Sequence, residues 1–204
     1  MKPAKAKKSR YSLHPGFARE AAYRRNLEER SGKSLEGWVA VTEKRGPADK
    51  KARVDWLKDE HGLTTDYAKW VVESCEGDTG AAAYDPDALV AAMFEKKAAL
   101  VPIYEKLLDL SLAVGPDAKA CPCGTIVPIF REHVIAQIKP ATRTRIDFGL
   151  ALGDPKLAKA PARLLDTGGF AKKDRITHRI PITSIQDVDA VVQRWLRIAY
   201  DRDA

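Results

Sequence analysis

Long apolar runs are missing from this chain. No window approaches about eighteen continuous apolar residues, and the basic N-terminus is not followed by an apolar signal-peptide core, so neither membrane insertion nor secretion is expected. The expected location is therefore the cytoplasm. Cysteine is also scarce: three residues, an odd number, fit free thiols better than a disulfide framework. Paired carboxylates with a partner acid are absent, as are a glycine-rich phosphate loop before a helix, a G-x-S-x-G and an H-E-x-x-H. These absences assign no catalytic residue, no cofactor and no metal.

What is present is enough for a core. With 45% hydrophobic residues, 204 residues can bury one domain or two small ones. The net charge of +7 is concentrated in residues 1–33, while residues 34–75 come to -1 and 76–204 to +1. The basic character is thus an N-terminal property, and residues 1–15 read as a basic disordered arm.

Residues 16–76 carry the signs of a small helical bundle. A helix over 16–31 stops before Gly32, and a second starts at Ser34, whose hydroxyl caps free amides. Gly46-Pro47 is expected to stop that helix and start the next, because proline lacks only an amide hydrogen that a first turn leaves unpaired. Gly62 caps the third helix, and a fourth covers about 65–75 with Tyr67, Ala68, Val71, Val72 and Cys75 inward. The last two helices have helix-turn-helix spacing, yet the second exposes Asp66, Lys69 and Glu73, a poor surface for a polyanionic groove.

Residues 77–85 read as a linker. A long helix is then expected from Pro86 to about Leu112, bent or interrupted at Pro102. Strands follow over 126–130, 133–139, 143–150 and 175–182, with a mainly irregular 151–172 between the last two. The proline in RITHRIPI favours an edge or a strand end. Ser184 and Asp187 make a capping box before a helix with Val188, Val191, Val192, Trp195, Ile198 and Ala199 on one stripe. The fold class is α+β: a helical bundle over 16–76, then residues 86–204 as an antiparallel sheet packed against a long N-terminal helix and a C-terminal helix.

The polar residues set into the strand pattern are the candidate site. In RTRIDFG a period of two puts Arg143, Arg145 and Asp147 on one face and Thr144, Ile146 and Phe148 on the other. With Lys139 and Arg179 they would present fixed donors to a phosphate or carboxylate; the plainer alternative is a solvated face on which Asp147 pairs with an arginine. His178 joins this set or the core according to register. Cys121 and Cys123 could ligate a soft metal only if Cys75, His133 or His178 closed the set, since structural zinc takes four ligands; two cysteines one residue apart are weak evidence, and a zinc site is not expected of them.

Two stretches are similar to known families. SGKSLEGW at 31–38 and GPADKKARVDWLKDEHGLTTDYA at 46–68 resemble DUF4287, a bacterial domain of unknown function. KKAALVPIYEKLL (96–108), LAVGPDAKA, IKPATRTRIDFGLALG (138–153), ITHRIPI (176–182) and VVQRWLRIAYDR (191–202) resemble DUF5655, often found beside the first. The resemblance implies two domains in this order and no activity. Where that second family tends to carry a lysine-rich segment before the first strand, this chain has Cys121-Pro122-Cys123-Gly124.

Taken together, the residues point to a binding module for a small anionic ligand or a protein partner. One alternative is nucleic-acid binding through the basic arm and the sheet arginines. Another is a hydrolase-like enzyme using His178, Asp147 or a cysteine, which requires those groups to converge in a cleft.

Overall fold

A computed structural model describes residues 9–77, 80–81, 83–153, 157 and 160–203. The chain divides into two compact units, residues 13–84 and residues 85–203 joined by 9–12.

The first unit is helical. A 3-10 turn at Pro15–Arg19 leads into α1 (Glu20–Ser31), followed by α2 (Leu35–Arg45), α3 (Lys50–Asp59) and α4 (Thr65–Ser74). Ser34, Asp49 and Thr64 each accept an amide at the start of a helix, so every turn of the bundle is written in local capping chemistry. Gly62 ends α3 with φ +69, a backbone state in which a Cβ is costly. Pro47 is not the first residue of α3. Asp49 caps that helix, and the Pro47 carbonyl accepts from Arg53 at 2.6 Å. Leu27, Leu35, Trp38, Leu57, Ala68, Val71 and Val72 close the core, while Cys75 is only half buried.

The second unit begins with α5 (Pro86–Phe94), a 3-10 turn at Ala98–Leu100 and α6 (Val101–Leu112). The long helix expected here is therefore two. The break falls at 95–97, and Pro102 sits in the first turn of α6, where its missing N–H costs nothing. Among the described residues six strands follow: β1 (Lys119–Ala120), β2 (Val127–Phe130), β3 (Val134–Pro140), β4 (Ile146–Leu150), β5 (Leu165–Asp166) and β6 (His178–Ile182). They form one antiparallel sheet in the order β1-β2-β3-β4-β6-β5.

Register decides the two faces. Ile138, Phe148 and Ile180 lie side by side across β3, β4 and β6, as do Ala136, Leu150 and His178, and all are buried. A bulge between Ile129 and Phe130 slips the β2–β3 register at the end of the pair. Pro181 is the next-to-last residue of β6, at a strand end and beyond the stretch that β5 pairs.

The capping box of Ser184 and Asp187 is present, but it closes a 3-10 turn at Ile185–Asp187 rather than the final helix. That helix, α7 (Ala190–Asp201), starts on Asp189, which accepts from Val191 and Val192. Its buried stripe is Val192, Trp195, Leu196, Ala199 and Tyr200; Val191 and Ile198 are half buried at its margin. The stripe joins the sheet's inner face in one core, each large side chain there contributing about 1.5–3 kcal/mol over an exposed position. No helix among the described residues is long and apolar enough to cross a membrane.

Candidate functional site

Alternation along β3, β4 and β6 puts Gln137, Lys139, Asp147, Gly149, Arg179 and Pro181 on the face of the sheet opposite the core. Lys139 is directly across from Asp147, and Gly149 is directly across from both Gln137 and Arg179. The outward row is half buried or exposed apart from Gly149, where a Cβ would come within 2.7 Å of Gln137 and Ile176. Only glycine lets those two side chains close over the strand.

Asp147 is the hub of this face. Its Oδ2 accepts from the Arg179 guanidinium at 2.5 Å, and its Oδ1 lies 2.9 Å from Arg145 Nε. The Arg145 contact lacks hydrogen-bond angles at that pair of atoms and is chiefly charge attraction, with a long bond of 3.4 Å from the other guanidinium nitrogen to Oδ2. The carboxylate is 14% exposed and each arginine about a third, so both guanidinium forks are anchored on one side and wet on the other. The Lys139 side chain makes no hydrogen bond or ion pair among the described residues.

Two of the residues named from sequence stand elsewhere. Arg143 is in the exposed turn before β4, because the extended pattern begins only at Ile146, and so it has no place on the strand face. His178 lies on the core side, 3% exposed, with Nδ1 3.0 Å from the Thr177 hydroxyl. That hydroxyl accepts amides from Leu152 and Gly153 at 3.2 and 3.1 Å, which leaves its own hydrogen to point at His178 Nδ1. His178 and Asp147 thus occupy opposite faces of the sheet.

Next to the Asp147 cluster on the outward face is a cleft of about 470 Å³ lined by Ile126, Pro128, Val134, Gln137, Thr167 and Ile176, with one charge of each sign, Arg175 and Asp174, on its walls. Gln137 links the two, since it faces Gly149 and through it Arg179. Its side-chain amide has no partner among the described residues. A second, larger cleft of about 870 Å³ opens between the 170–175 loop and the end of α7, with Lys173, Arg175, Arg202 and Asp203 among its walls. Here the cations are largely spoken for: Arg175 pairs with Asp203, and Arg202 donates to the Leu152 carbonyl. Sequence reasoning missed Gln137 and Arg175, the former because a lone amide in a strand carries no motif, the latter because its cleft is built by loop residues.

The cysteines do not join either cleft. Burial pushes the Cys121 thiol up to about 11 and raises those of Cys123 and Cys75 as well. None of the three is in a disulfide, and no group of three metal-ligating side chains is present among the described residues.

The class these features define is a two-unit protein, a four-helix module followed by an α+β domain with a cation-rich outward sheet face. A domain of unknown function (DUF5655) matches residues 90–203, and the chain belongs to that family. A second domain of unknown function (DUF4287) matches residues 20–77, in the order expected. No curated protein and no solved structure matches the chain.

Proposed function

We propose that the protein is a non-enzymatic binding module acting in the cytoplasm, and that the outward face of its sheet takes a small organic anion. The observation that carries this reading is Asp147 holding Arg145 and Arg179 side by side with Lys139 in register. Three cations against one carboxylate leave an excess of positive charge, and the carboxylate fixes the direction of both forks before any ligand arrives. The adjoining cleft supplies what a bare cationic surface lacks, an apolar wall of Ile126, Pro128 and Ile176 and the amide of Gln137 for the body of the ligand. Three cysteines, none of them in a disulfide, suit a reducing compartment.

Native mass spectrometry of the gently purified protein, compared with its denatured mass, tests this reading. The expected result is a small-molecule adduct in the wild type that is lost from Lys139→Ala with Arg179→Gln. A bare mass in both, with no response to added citrate or pyrophosphate, would count against it. An oligonucleotide adduct would favour the nucleic-acid alternative instead.

A further inference from the structure

Residues 9–12 precede the helical unit in sequence yet belong to the compact unit formed by residues 85–203. Three different interactions hold them there. The amide of Ser12 donates to the carbonyl of Ala120 at 2.9 Å, on the edge of β1 that β2 leaves unpaired. The Tyr11 hydroxyl is 2.7 Å from that of Tyr104, and its ring packs on the core beside α5 and α6. The Arg10 guanidinium is clamped between Glu105 and Asp109, one helical turn apart on α6.

Backbone edge, aromatic anchor and charge clamp together are how an extended peptide is read by a folded surface. We infer that Arg10–Ser12 is a latch, docked in a peptide seat on the DUF5655 domain that is specific for an Arg-Tyr pair. The seat is wider than its present occupant. A cleft of about 480 Å³ continues past Tyr11 along Val90, Phe94 and Val101, with Asp87 and Glu95 on its walls beside Glu105. Its only carboxylate that meets a cation among the described residues is Glu105, through Arg10. The seat therefore favours a basic extended segment, and Arg10 follows Lys5, Lys7 and Lys8 in the sequence.

Two consequences follow. The matched span 90–203 lacks a piece of its own domain, since the cover of the β1 edge comes from before residue 20. An uncovered edge is a template for pairing with another chain, so the latch also guards against it. Its ion pairs are exposed, which makes it releasable without unfolding the sheet.

The test uses the full chain. In Arg10→Glu with Tyr11→Ala, a labelled peptide KKSRYSLHP, residues 7–15, is expected to bind at least tenfold more tightly than to wild type, whose own latch competes for the seat. The same peptide carrying the Arg10→Glu change should bind neither chain. Hydrogen exchange is read in parallel, with acceleration of at least tenfold at residue 12 and none in β3 and β4. Equal peptide binding to both chains, or no binding to the variant while β3 and β4 keep their protection, would overturn the inference. Should the variant lose that protection, Glu105→Arg with Asp109→Arg serves in its place: it must release residues 9–12, and adding Arg10→Glu must recapture them. A dimer that disappears with Arg10→Glu and Tyr11→Ala would overturn it too, since the latch would then be exchanged between copies.

Discussion

Asp203→Ala should weaken the α+β unit selectively. This carboxylate is 4% exposed at the end of α7, and it ties three separate segments together. It accepts the backbone amide of His133 at 2.7 Å, lies 3.1 Å from His133 Nδ1, and pairs with Arg175, which also donates to the Val134 carbonyl at 3.0 Å. A hydrogen bond to a buried charged acceptor is worth about 1.5–3 kcal/mol. The Arg175 pair adds only about 0.2–1 kcal/mol, because that guanidinium is 47% exposed and screened by water. The loss should come to about 2–3 kcal/mol, or roughly 5–10 °C in melting temperature. Asp203→Asn keeps the acceptor for His133 and should cost about half as much. Hydrogen exchange read by mass spectrometry separates the units: peptides over 133–150 and 175–182 should lose protection, whereas those over 50–74 should not. A loss below about 0.5 kcal/mol, or equal losses for alanine and asparagine, would refute the assignment of the energy to the buried carboxylate.

Gly115→Ala should cost about 1–3 kcal/mol, since a Cβ there would lie 2.2 Å from the Tyr200 ring, and calorimetry should show the loss relieved by Tyr200→Ala. Phe148→Ala, at a fully buried position in the sheet, should cost about 3–5 kcal/mol in urea unfolding. The Asp187 carboxyl is held below its usual value of 3.8 by the amides of Thr183 and Ser184. Its folded-state pKa is depressed, so the stability it adds is present above the unfolded value and lost as pH falls through the folded one; exchange at 183–188 should rise only below about pH 4, and not in Asp187→Asn. With its thiol pushed up to about 11, Cys121 should react about a hundredfold more slowly with iodoacetamide at pH 8 in the native chain than in denaturant.

Capping and face were legible in the sequence wherever a local rule decides them. Ser34 and Gly62 stand as their residue types imply. In RITHRIPI the alternation holds for His178, Ile180 and Ile182, while Ile176, before the strand begins, lines the outward cleft instead. Proline was harder. Pro47 and Pro102 each fit a first helical turn, but which residue caps the helix depends on where the chain leaves its neighbour, and that is set by packing. The same limit explains Arg143. Period two continues through RTRIDFG on paper, whereas the turn after β3 uses up residues 141–145 before pairing with β6 begins. The outward set of Lys139, Asp147 and Arg179 was readable because strand parity alone fixes it. The cleft beside it was not, since Thr167, Arg175 and Ile176 reach it only through tertiary folding.

The most direct measurement is a heteronuclear NMR titration of the full chain with citrate and with pyrophosphate, following the arginine Nε and lysine Nζ signals. A shared anion site on the outward face predicts saturating shifts at Arg145, Arg179 and Lys139, with the Gln137 side-chain amide moving for the bulkier ligand. Shifts confined to Lys173 and Arg202, or none at millimolar concentration, would contradict it.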